Sequence, residues 1–124
     1  MRKTLRTTPE EEYLAAAVAF EEARERYDHK RSNKLHDKLY NAAREIRLNS
    51  ADGGEAFFAS LLNHPMPYVS LCAAFNLIPL NPKLARVTYE RLAKVEEGEI
   101  GFAAEMTLKE WKAGRLDAEW FMKT

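Results

Sequence analysis

The sequence predicts an all-α protein made of stacked helix pairs, with about six helices and a short C-terminal one. Three observations predict it. Alanine pairs recur thirty-one residues apart, Ala42-Ala43 and then Ala73-Ala74, with Ala104-Glu105 in the third place. Apolar residues return at three- and four-residue spacings along most of the chain, between breaks rich in Gly, Pro and Asn. No segment sustains the period-two alternation of a half-buried strand, so no sheet is expected.

The thirty-one-residue register reaches beyond alanine. Sliding it forward lays Val69 on Ile100, Ser70 on Gly101, Leu71 on Phe102, Cys72 on Ala103, Phe75 on Met106 and Leu77 on Leu108. Sliding it backward gives a weaker match, with Tyr40 under Leu71, Asn41 under Cys72 and Ile46 under Leu77. Small residues at a fixed place let successive helices approach closely, while large flanking residues fill the grooves between them. A period of this length is the signature of solenoids built from helix pairs.

Each element follows from local chemistry. Thr8-Pro9-Glu10-Glu11 is a capping box with proline at the first helical position, and Tyr13, Ala17, Phe20 and Tyr27 then mark one face of a helix over residues 9 to about 30. Residues 28–33 are polar and predict a turn, with Ser32 or Asn33 capping a second helix that buries Leu35, Leu39, Ala42, Ala43 and Ile46. Gly53-Gly54 and the polar residues before them stop it. A short helix over residues 55 to about 63 buries Phe57, Phe58, Leu61 and Leu62, and His64-Pro65-Met66-Pro67 breaks the chain. Residues 68–78 are apolar nearly all round, which predicts the central helix.

Asn81-Pro82 opens a fifth helix with Leu84, Thr88, Leu92 and Val95 inward and Lys83, Arg86, Glu90, Arg91 and Lys94 outward. Glu96-Glu97-Gly98 ends it. The sixth helix is expected to bury Ile100, Ala104, Thr107, Leu108 and Trp111 and to stop at Gly114. Leu116, Trp120 and Phe121 then read as a last short helix that caps the stack.

At 124 residues, 46% apolar and 31% charged, the chain reads as one globular domain over residues 1–124, with residues 1–7 flexible. Cys72 has no second cysteine to pair with, which suits a reducing compartment. Arg2, Lys3 and Arg6 are followed by Glu10-Glu11-Glu12 rather than by the apolar core of a signal peptide. The longest apolar stretch, residues 68–80, is interrupted by Ser70, Asn76 and Pro79 and is too short to cross a bilayer. The expectation is a cytoplasmic protein with no membrane partner.

The formal charge is zero, nineteen residues of each sign, so no global field recommends nucleic acid. The signs are separated locally. Residues 24–47 hold eight bases against four acids, whereas residues 9–23 hold five acids and no base.

No chemical constellation stands out. His29 and His36 lie near Asp28 and Asp37, but no pair has the spacing of zinc ligands, so they read as solvated turn residues. The ring of His64, in a prolyl turn, is expected to bond a nearby carbonyl. Cys72 occupies the small-residue place held elsewhere by Asn41 and Ala103, which predicts burial and a less nucleophilic thiol. Glu105 stands where the third unit should have alanine; inside the fold it would need a partner such as Lys109, and the preferred reading is an exposed or rim position. Glycine-rich phosphate loops, Ser-His-Asp arrangements and paired carboxylates are lacking, so no catalytic residue, metal or cofactor is expected.

The pattern Val69-x-x-x-Ala73-Ala74-x-x-Leu77, after a prolyl turn and a short apolar helix, resembles the second helix of a HEAT-type repeat. The strings Asn63-His64-Pro65-Met66-Pro67-Tyr68-Val69, Phe102-Ala103-Ala104-Glu105-Met106-Thr107-Leu108-Lys109-Glu110-Trp111 and Asn33-Lys34-x-x-Asp37 look like a family of small bacterial proteins. That family is known only as a domain of unknown function. The likeness spans roughly residues 33–116 and implies a HEAT-like α-α superhelix and no activity. The family pattern carries a basic residue after the valine, where this chain has Ser70.

The functional expectation is a non-catalytic interaction module that binds a protein partner through a solvent-facing helix surface, as an adaptor or an immunity-type inhibitor. The alternative is a nucleic-acid binder using the basic segment 24–47. Arg31, Lys34, Lys38 and Arg47 are the candidate partner-binding residues in either case.

Overall fold

The computed structural model describes residues 8–115. They form six helices and, among the described residues, no strand: α1 (Pro9–Glu25), α2 (His29–Asn49), α3 (Glu55–Ser60), α4 (Pro67–Leu77), α5 (Pro82–Val95) and α6 (Glu99–Lys112). Two compact units divide between Gly54 and Glu55. The expected helix over residues 116–121 and the expected flexible 1–7 lie outside the described residues.

The first unit is the hairpin of α1 and α2. The Thr8 hydroxyl accepts from the Glu11 amide at 3.1 Å, and the Glu11 carboxylate accepts from the Thr8 amide at 3.0 Å, completing the predicted capping box. These bonds, the backbone one first, hold the exposed Glu11 carboxyl below its ordinary range. A carboxyl so depressed stabilises the fold above its unfolded titration range and loses that contribution as pH falls through the folded value. Thr8→Ala, which removes the capping hydroxyl, is expected to cost about 1 kcal/mol, and Glu11→Gln to flatten the acid limb of the stability profile. Urea unfolding across pH measures both.

α1 stops five residues before its predicted end. The amide of Asp28 donates to the Ala23 carbonyl at 2.9 Å and that of Tyr27 to the Arg24 carbonyl at 3.1 Å, the crossed bonds of a Schellman motif. The left-handed residue of that motif is Tyr27, at φ 58°. The next helix starts correspondingly early. Asp28, rather than Ser32 or Asn33, caps α2 by accepting from the Arg31 amide at 3.1 Å. Ser32 is buried inside the first turn and donates to the Asp28 carbonyl.

Tyr27 is 81% exposed, so no packing offsets its backbone strain. Tyr27→Gly should raise stability by up to about 1 kcal/mol, net of the extra freedom glycine has when unfolded. A lowered melting temperature would contradict the strain. Across the hairpin, Tyr13, Ala16, Ala17 and Ala23 of α1 are buried, as are Leu39, Ala42, Ala43 and Ile46 of α2.

In the second unit α4 touches α3, α5 and α6, so the helix predicted to be central has that place within its unit. α3 ends at Ser60, and a turn carries Leu61 and Leu62 into the core beside Phe58. Ser70 is buried, and its hydroxyl lies 3.4 Å from the carbonyls of Leu61 and His64. The ring of His64 does not bond a carbonyl. Its Nδ1 accepts from the Met66 amide at 3.0 Å and fixes the prolyl turn. Asn81 caps α5 by accepting from the Leu84 amide, and its side-chain nitrogen donates to Glu55 at 3.3 Å.

The buried face of α5 is rotated from the one expected. Ala85, Thr88, Tyr89 and Leu92 are inside, Leu84 is half-buried and Val95 is 60% exposed. Tyr89 decides this face, because its ring packs edge-on against Trp111 at 6.4 Å and needs the interior more than either aliphatic does. Arg86 covers the other side of Trp111, its guanidinium 4.9 Å from the ring centroid. On α6 only Gly101 and Ala104 are buried; Ile100, Thr107, Leu108 and Trp111 are half-buried. Gly114, at φ 78°, ends this helix through the same crossed bonds that end α1, from Gly114 to Trp111 and from Arg115 to Glu110.

The repeated alanines Ala42, Ala73 and Ala104 are all buried and sit on α2, α4 and α6. Glu105 is exposed, as preferred for a charge at that place. Cys72 is only half-buried, contrary to the burial expected of it, because the buried face of α4 runs through Val69, Ser70, Ala73, Ala74 and Leu77 and position 72 lies about 130° round the helix from the middle of that face.

Candidate functional site

Within the first unit a groove of about 860 Å³ opens between α1 and α2. Its floor is alanine: Ala15, Ala16 and Ala19 from α1 and Ala42 from α2, with Leu35 and Leu48 at its two ends. α1 and α2 are joined by only three residues and run antiparallel. Ala19 and Leu35 therefore lie toward the turn, and Glu11, Glu12, Glu45 and Leu48 toward the open end. Leu48 is 68% exposed, an apolar side chain presented to whatever enters.

Charges of both signs ring the floor. Glu11, Glu12 and Glu45 contribute three carboxylates, and Lys38 and Arg44 two cations. Glu11 is engaged by its cap, but among the described residues Glu12, Lys38, Arg44 and Glu45 make no ion pair and no side-chain hydrogen bond. They are free to meet charges brought by another molecule.

Of the predicted partner-binding residues, Arg31, Lys34 and Lys38 are exposed on α2. At about 100° per residue, Lys34 and Lys38 fall within about 60° of Arg31 and form one cationic ridge, which enters the groove at Lys38. Arg47 lies about 160° round the helix from Arg31 and is half-buried, so it does not join them. The α1 wall was not among the predicted residues. Its sequence signal is Ala15-Ala16-Ala17 and Ala19, more small residues than one packing stripe uses.

The described residues of the second unit present exposed apolar side chains. Phe75 is 37% exposed and Met106 39%, at equivalent places of the register, and Phe102 is 65% exposed. The Tyr89 hydroxyl is held neutral, because burial, with the Cys72 thiol nearby, pushes it far above its ordinary range. Among the described residues no three of His, Cys, Asp and Glu converge as metal ligands, and no helix is long and apolar enough to cross a membrane.

The chain is similar in fold to the protein RPA1889 from Rhodopseudomonas palustris CGA009, known from a crystal structure, with a TM-score of 0.80 at 21% identity over 85% of this chain and 86% of that one. No curated protein matches it. Residues 13–111, which take in all six helices in whole or in part, match the family described as Domain of unknown function (DUF2019), and the chain belongs to that family.

Proposed function

We propose that this chain is a non-catalytic, HEAT-like interaction module of the cytoplasm that binds a protein partner through the solvent-facing surface of its helices, as an adaptor or an immunity-type inhibitor. The groove between α1 and α2 carries this reading. It joins an apolar floor to charges of both signs that are unpaired among the described residues, and an interface with another protein needs that combination of desolvated centre and polar rim. The HEAT-like description is supported by the buried alanines, which fall on the second helix of each consecutive pair.

The test is affinity capture from the native lysate with the full chain as bait. A single protein recovered at stoichiometric level is the expected result; recovery of none removes the reading. The ridge of Arg31, Lys34 and Lys38 favours one alternative, a nucleic-acid backbone. Binding to duplex DNA that weakens steeply as salt rises would support it, because released counterions set that slope. Salt-insensitive or absent binding removes it.

A further inference from the structure

We infer that the α1–α2 groove receives one amphipathic helix of the partner, whose apolar stripe lies on the alanine floor and whose two ends carry opposite charge. The inference rests on the protein-binding reading and adds the partner's form and polarity. Length comes first. The groove follows α2 from Leu35 to Leu48, about 20 Å at about 1.5 Å per residue, which is the span of a helix of three to four turns.

Depth comes second. Ala15, Ala16 and Ala19 have no side chain beyond the β-carbon, so a partner backbone can approach to helix-packing distance and seat its own larger residues in the groove. Leu35 and Leu48 close the two ends against that stripe. An extended strand would leave its backbone amides unpaired over such a floor, because α1 and α2 spend theirs within their own turns. A helix brings its hydrogen bonds with it.

Charge fixes the polarity. The turn end is basic, with Arg31 and Lys34 leading to Lys38 at the rim, and the open end is acidic, with Glu11, Glu12 and Glu45 against Arg44. A uniformly cationic or anionic helix meets repulsion at one end. A helix with carboxylates at one end and lysines at the other meets attraction at both, and the helix dipole favours carboxylates at its N-terminus. Such a partner seats its N-terminal part on the basic ridge and its C-terminal part between the glutamates. A nucleic-acid strand, with one sign throughout, fits half of this groove and is repelled by the other half.

Three synthetic peptides with the same Leu/Ala stripe test the inference by fluorescence anisotropy against the full chain. One has glutamates at its N-terminal end and lysines at its C-terminal end, one has lysines at both ends, and one has glutamates at both. The mixed peptide should bind about tenfold more tightly than either other, the sum of a few rim pairs. The Lys34→Glu/Lys38→Glu double variant, changed at two exposed sites, should transfer the preference to the all-lysine peptide. Ala15→Arg should abolish mixed-peptide binding, with an unchanged circular-dichroism melt showing that α1 still folds.

Equal binding of the three peptides, binding of none, or an unaltered order in the double variant overturns the inference. So does a dimer of this chain that Ala15→Arg dissociates, since a second copy would then fill the groove. Capture of the native partner by Ala15→Arg as efficiently as by the parent chain also overturns it while leaving the protein-binding reading intact.

Discussion

Gly101→Ala is expected to cost about 3 kcal/mol and to lower the melting temperature by on the order of 10 °C. In an exposed helix interior the same change would stabilise by about 1 kcal/mol, because alanine is the better helix former. Here the close approach decides the sign. A β-carbon added at Gly101 would stand 1.9 Å from the Glu96 carbonyl oxygen and 3.0 Å from its carbon, and both are backbone atoms that no rotamer change can move aside. Glu96 caps the end of α5, and the link through Glu97 and Gly98 folds the chain back so tightly that this carbonyl lies over the first turn of α6. Making room requires α6 to slide away from α5, which would loosen the contact of Tyr89 with Trp111. Urea unfolding gives the free energy directly. A neutral or stabilising Gly101→Ala would show that the link does not sit where it is placed.

Gly101 also shows how far the thirty-one-residue register can be read. It lies one period after Ser70, and both are buried at a close approach, Ser70 to the carbonyls of Leu61 and His64 and Gly101 to that of Glu96. The register located small residues correctly, since Ala42, Ala73 and Ala104 are buried too. It did not locate the large ones. Phe75 and Met106 were expected to fill grooves between helices, yet each is more than a third exposed. Periodicity reports which residues are equivalent; it does not report whether a neighbour lies against that face.

Element ends were legible wherever capping chemistry was written into the residues, as at Thr8, Asn81 and Gly114. The α1–α2 turn was not, for a physical reason. A Schellman turn ordinarily announces itself through glycine, and here Tyr27 takes the left-handed conformation that glycine would supply. With no breaker visible, the helical pattern predicts α1 to about residue 30 and a cap at Ser32 or Asn33, later than the Asp28 cap that the structure uses. The α5 face failed differently. The spacing of Leu84, Thr88, Leu92 and Val95 is a sound helical stripe, but Tyr89 lies off it, and the burial of one aromatic outweighs that of two aliphatics at its margin.

The groove was half legible. A cationic stretch was plain in residues 24–47, but periodicity treats alanines on α1 as part of the packing stripe whether or not anything covers them. Only the hairpin shows that Ala15 is exposed, that Ala19 is half-covered, and that the acids of α1 share a groove with Lys38. Arg47 illustrates the opposite error. Charge density placed it with Arg31, Lys34 and Lys38, and helical geometry turns it to another side.

Ala73→Leu is expected to cost about 3 kcal/mol, at the upper end of the range for overpacking a core, whereas Glu90→Leu should stay within about 0.5 kcal/mol. Ala73 is 0% exposed on α4, which touches α3, α5 and α6, so three added carbons have no direction in which to relax. The transfer of leucine from water would by itself favour burial by about 2 kcal/mol, but only where space exists to receive it. At Ala73 that gain is offset by separating α4 from its neighbours and forfeiting their close contacts. Glu90 points away from the core on α5, and leucine there changes neither packing nor a buried charge. The contrast isolates the small-residue argument from any general intolerance of leucine. Equal melting temperatures for the two variants would mean that the alanine register does not mark close packing, and the likeness to a helical repeat would lose its physical basis.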